Sequence, residues 1–190
     1  MRDADATRRK ILEAARAEFS EFGLAGARVN RIAEASGMNK ERIYANYGSK
    51  DGLFEAVMSD TLATHAETIG EWGASADDIV ERLHQNHVRS PDLLRLMLWE
   101  ALQVSSDSVP DAERRREHYQ ERVRALMGAF RIETEAESAA AMMTLIGLAA
   151  WPSTMPQLAR MLVPEDQREA FKTAQRELLH RLARAVLLTG

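Results

Sequence analysis

Residues Val29 to Tyr47 read VNRIAEASGMNKERIYANY. Helical spacing on either side of Ser36-Gly37-Met38 predicts two short helices, near 28–35 and 39–46. A helix-turn-helix packs two helices at a steep angle across a short turn. That geometry asks for a small residue late in the first helix, where Ala33 stands, and for a residue at positive φ in the turn, where Gly37 stands. It also asks for apolar residues facing inward from both helices, and Ile32, Met38 and Ile43 hold those positions. Asn39 caps the second helix and leaves its first turn free to point outward. A glycine turn alone also suits an ordinary helical hairpin, so the flanking residues decide between the two.

The helical pattern continues in both directions. Ile11, Leu12, Ala15, Phe19 and Phe22 recur on one apolar stripe, which predicts a first helix from about Asp5 or Thr7 to Phe22. Thr7 stands as its N-cap and Gly23 as the left-handed residue that ends it. A longer helix begins after its N-cap Ser49 and carries Leu53, Phe54, Val57, Met58 and Leu62. Ser75 caps a helix bearing Ile79, Val80, Leu83 and His87, and Ser90-Pro91 opens another with proline at the first helical position. A polar helix is expected over about 111–131. Thr134 opens a helix whose stretch AAAMMTLIGLAAW is apolar all round, and Trp151-Pro152 and Met155-Pro156 break or kink it. The last helix, over about 165–188, carries Phe171, Ala174, Leu178, Leu182 and Val186. Nothing alternates as a strand between hairpin turns. The expectation is an all-α chain of about nine helices, with a three-helix head over residues 1–48 and a helical body over 49–190.

The chain has 190 residues, 45% of them hydrophobic and 28% charged, which is a globular composition. It contains no cysteine, so disulfides, thiolate metal sites and cysteine nucleophiles are excluded together. It has no run of about 18 apolar residues to cross a membrane, and the charged start MRDADATRRK has no apolar segment behind it. A cytoplasmic protein with no membrane partner is expected. The formal net charge of −4 is unevenly spread: residues 1–50 sum to +3 and residues 51–190 to −7. A basic head on an acidic body is the electrostatic footprint of a local DNA-binding patch.

The residues after the turn are the specific ones. From Thr7 to Met58 the chain resembles the DNA-binding domain of the TetR family of bacterial repressors. Gly23 ends the first helix, Ile32-Ala33 and Gly37 follow, Tyr44 and Tyr47 stand in the recognition helix, and Ser49-Lys50 opens the next. The resemblance implies a transcriptional regulator that binds double-stranded DNA. Lys40, Glu41 and Arg42, exposed in the first turn of the recognition helix, are candidates for base-edge contact, and each also suits a solvated charge. Arginine would read guanine and glutamate would accept from cytosine. Tyr44, Asn46, Tyr47 and Lys50 are candidates for phosphate contact, with Tyr47 partly in the core, and Asn39 is counted with them. One departure stands out. The family places a threonine at the start of the first motif helix, where this chain has Ala27-Arg28. The cap is weaker by about 1 kcal/mol, and Arg28 becomes a candidate DNA contact in its place.

A single helix-turn-helix reads too few base pairs for useful specificity, so a homodimer is expected. The helix near 135–150 is rich in small residues (Ala139, Ala140, Ala141, Gly147, Ala149, Ala150) and, with the last helix at 165–188, suits an antiparallel four-helix interface. The resemblance also implies a small-molecule effector in the body that releases DNA, with coupling through the helix that starts at Ser49. Trp99, Met97, Met143, Trp151 and Met155 are candidates for lining its pocket, as are His84 and His87; each also suits a plain core. His84 and His87 have a spacing that can hold zinc, but no motif supplies a third ligand, so neither a metal nor a cofactor is expected. No phosphate loop, nucleophile elbow or metalloprotease motif is present, and no enzyme is expected. The alternatives are a helical small-molecule binder without DNA binding, a metal enzyme built on the two histidines, and an activator.

Overall fold

The computed structural model describes residues 2–69, 75–105 and 109–188. Among them are ten α-helices: α1 Arg2–Gly26, α2 Val29–Ser36, α3 Lys40–Tyr47, α4 Lys50–Ile69, α5 Ala76–Arg89, α6 Pro91–Gln103, α7 Ala112–Phe130, α8 Glu135–Thr154, α9 Pro156–Leu162 and α10 Arg168–Leu188. A 3-10 turn, Glu165–Gln167, leads into α10. No strand occurs among the described residues.

Capping chemistry accounts for most of the boundaries. Asn39, Ser75 and Thr134 each accept with the side chain from the backbone N–H three residues on, at 2.8, 3.1 and 3.2 Å. The Ser49 hydroxyl accepts from Gly52 N–H at 3.0 Å. Thr7, expected as a cap, lies inside α1, which begins earlier. The tenth helix comes from Pro156. Its missing N–H is not needed in a first turn, so the proline opens α9 instead of merely kinking α8. Pro152 is carried inside α8, which ends where Met155 N–H bonds back to the Trp151 carbonyl at 2.9 Å.

The chain divides into two compact units, and each is interrupted in sequence. Met1–Glu67 and Asp92–Ala112 form the first, so α6 packs with α1 to α4. Its core is Ile11, Leu12, Ala15 and Phe19 of α1, Ile32, Ile43, the α4 residues Leu53, Phe54, Val57 and Met58, and Leu96 of α6. The rings of Phe19 and Phe54 meet edge to face at 5.2 Å. Thr68–Pro91 and Glu113–Gly190 form the second unit, whose core joins α5, α7, α8 and α10 through Leu83, Leu126, Leu145 and Leu187. Buried Ser138 of α8 donates to the Val123 carbonyl of α7 at 2.8 Å. Asp77 of α5 takes both Arg184 and His180 of α10.

Candidate nucleic-acid interface

The turn of the motif is built as its residue types require. Gly37 has φ 68°, a left-handed value that relieves the end of α2, and Met38 N–H bonds back to the Ala33 carbonyl at 3.0 Å. A Cβ on Gly37 would meet nothing within 4 Å, so backbone conformation, not space, selects glycine here. Ile32 and Ile43 are fully buried, while Ala33 and Met38 are half-buried against the same core. Ile32, Met38 and Ile43 thus face inward from the two helices, with Ala33 at their close approach and Gly37 in the exposed turn.

The outer surface of α3 carries most of the predicted contacts. Lys40, Glu41, Arg42, Tyr44 and Asn46 are all exposed, with Asn39 at the cap. The Lys40 ammonium lies 5.8 Å from the Tyr44 ring centre, and Asn46 donates to the Arg42 carbonyl at 2.6 Å. Two residues sit differently. Tyr47 packs against the core, and burial is the main reason its hydroxyl titrates above the ordinary tyrosine range. Arg8 pulls the other way, and Asp60 adds to the rise. Lys50 is half-buried, and its ammonium donates to the Ala25 and Ala27 carbonyls, both at 3.4 Å. It braces the connection from α1 to α2 as well as carrying charge there.

That connection is also held by Glu18, Arg31, Arg95 and Gln103, which periodicity alone does not single out. Glu18 is 8% exposed, yet its carboxylate accepts from Arg28 N–H at 2.7 Å and from Arg31 Nε at 2.8 and 2.9 Å. Burial pushes the Glu18 carboxyl up, but the bonds from Arg31 and from Arg28 N–H outweigh it and leave the group below its ordinary range. The Arg31 guanidinium stacks 4.2 Å from the centre of Phe22, which explains why that ring tolerates exposure. From α6, Arg95 and Trp99 donate to the Ser20 carbonyl at 2.8 and 3.2 Å, and Gln103 accepts from Ala25 N–H at 3.1 Å. Residues 95, 99 and 103 form one stripe that grips the end of α1. The sequence did carry a sign of this: Glu18 interrupts an otherwise apolar stripe.

The residues expected to line an effector pocket are divided between the two units, Met97 and Trp99 in the first and the others in the second. Trp99 lies on Gly23, where a Cβ would come within 2.7 Å of its ring, so it packs in the first unit. Met97 is exposed on α6. Met143 is 78% exposed and Trp151 54%, both turned away from the core of the second unit, and Met155 is exposed where α8 ends. His84 is half-buried. His87 alone lies inside, 7% exposed, bonded to the Ala149 backbone and with Nδ1 unpartnered. Among the described residues no group of three or more His, Asp or Glu is placed to hold a metal.

Comparison with known proteins decides the lineage. Residues 11–57 match the profile of bacterial regulatory proteins of the tetR family, and residues 76–184 match the tetracyclin repressor-like C-terminal domain. The chain belongs to the TetR family. It is 36% identical to the HTH-type transcriptional repressor SCO4008 of Streptomyces coelicolor, over 95% of this chain and 98% of that one. The head alone is 42% identical over 67 residues to the repressor AcnR of Corynebacterium efficiens, covering 35% of this chain and 36% of AcnR. The crystal structure of SCO4942 from S. coelicolor superposes with a TM-score of 0.73 at 26% identity, covering 94% and 97% of the two chains. This TetR-family chain therefore carries an N-terminal helix-turn-helix domain of a transcriptional regulator followed by a tetracyclin repressor-like C-terminal domain, and none of its described helices is long and apolar enough to cross a membrane.

Proposed function

We propose that this TetR-family chain is a homodimeric transcriptional repressor. Its two recognition helices read the halves of a palindromic operator, and a small molecule held in the helical body releases it. The observation that carries the reading is an apolar surface left open on the second unit. α8 turns Met143, Leu148 and Trp151 outward, and α10 turns Leu178, Leu182 and Val186 outward, while both helices bury their other sides. Exposed Ala139, Ala140 and Gly147 allow a close approach of backbones on the same helix. Exposed apolar side chains repeated along two helices of one unit are what an interaction face requires. A second copy, related by a two-fold axis, covers it with the same face. Two copies also place two α3 helices for two half-sites. Names of relatives as repressors support the sign of the regulation.

The effector reading rests on the second unit. His87 keeps an unpartnered acceptor inside it, which suits a mostly apolar molecule with one hydrogen-bond donor. Transmission to the head is assigned to α6 together with α4, since both are packed into the first unit and α6 grips the end of α1. Sedimentation at micromolar concentration, followed by selection of genomic fragments and a salt titration on the best binder, tests the proposal. The expected result is a dimer that enriches a palindrome and weakens steeply with salt. A monomer removes the dimer reading, and no enrichment over random DNA removes the operator reading.

A further inference from the structure

We propose that Glu18, a buried residue of α1, is the positioning residue that aims Arg28 at the operator. The inference rests on the reading of Arg28 as a DNA contact. Arg28 is the N-cap of α2, with φ −123° and ψ 119°, and its side chain makes no capping bond. In a capping box the residue three positions on sends a carboxylate back to the N-cap N–H. Here that third residue is Arg31, which has the wrong charge for the bond. Glu18 supplies the carboxylate from another helix, accepting from Arg28 N–H at 2.7 Å. Arg31 then holds that carboxylate in place with Nε, stacks on Phe22 and donates to the Gly26 carbonyl at 3.3 Å. The box is thus closed between α1 and α2 instead of within α2. With its N–H engaged inward, Arg28 has a settled backbone and an exposed side chain at the start of the helix. Pre-setting that backbone lowers the ordering cost of a contact made by the side chain.

A double-mutant cycle on the full chain, read by affinity for the selected operator fragment and by its salt dependence, tests this. Arg28→Ala and Glu18→Leu are each expected to weaken binding by about tenfold and to lower the salt slope by about one. The double variant is expected to bind no more weakly than Arg28→Ala alone, because the two residues act through one contact. Glu18→Gln keeps an oxygen for Arg28 N–H and is expected within about threefold of the parent, which serves if the leucine variant does not fold. Losses that multiply, or a glutamine variant as weak as Arg28→Ala, overturn the proposal: Glu18 then supports the head without aiming Arg28. Parent-like binding by Arg28→Ala overturns the contact itself and the proposal with it.

Discussion

At the scale of single residues, two glycines with nearly equal φ face different demands. Gly23, at φ 66°, carries the ring of Trp99 where a Cβ would stand, whereas Gly37, at φ 68°, faces open space. Gly23→Ala is expected to cost about 2–4 kcal/mol in urea unfolding, combining left-handed strain with a clash. Gly37→Ala is expected to cost about 1–2 kcal/mol from strain alone. Equal losses at both sites would mean that the tryptophan moves aside freely. Lys50 raises a different question, because its ammonium already rests on the Ala25 and Ala27 carbonyls. If it also meets phosphate, Lys50→Ala weakens binding to every sequence and lowers the salt slope by about one. A weaker complex with an unchanged slope would assign the lysine to bracing the α1–α2 connection only.

At the scale of helices, α3 is anchored by Ile43, its one residue buried to 1% exposure, and by the cap at Asn39. Ile43→Ala is expected to destabilise the first unit by about 2–4 kcal/mol and to abolish operator binding. Full binding by a folded Ile43→Ala variant would show that α3 is seated by other contacts. These elements were legible in the sequence because their causes are local: a capping side chain, a left-handed glycine, a stripe of period 3.6. The placement of Trp99 was not legible, because α6 is apolar on several sides and periodicity gives no direction to such a helix. Its seat depends on Gly23, far away in sequence. Glu18 was half legible. A carboxylate on a buried stripe needs a partner, but nothing local names Arg28 and Arg31 as that partner.

At the scale of the whole molecule, proton binding and association set the behaviour in solution. Burial is the main cause holding His87 and His118 below the ordinary histidine range. The unfolded chain therefore takes up protons near pH 6.5, before the folded chain does. The resulting stability is complete above that pH and is lost as pH falls toward the folded values. Thermal midpoints should drop between pH 7.5 and about 5.5, and His87→Gln should flatten the curve; an equally steep curve would clear His87. The lowered carboxyls Glu18, Asp77 and Glu81 act in the same direction, but only in the more acidic range below the ordinary carboxylate values. If two copies pair through the outward face of α10 as proposed, Leu182→Asp places a charge in that interface and is expected to raise the dimer dissociation constant at least about 100-fold, some 2.7 kcal/mol, by sedimentation. An unshifted dimer would move the interface elsewhere. The interrupted course of the first unit bears on protein engineering. Leu96 fills its core from α6, and Arg95, Trp99 and Gln103 are fitted to the last turn of α1. A chimaera that exchanges only residues 1–48 for another regulator's head would leave those four side chains facing a stranger's helix. Grafted operator specificity should therefore transfer intact only when α6 travels with the head.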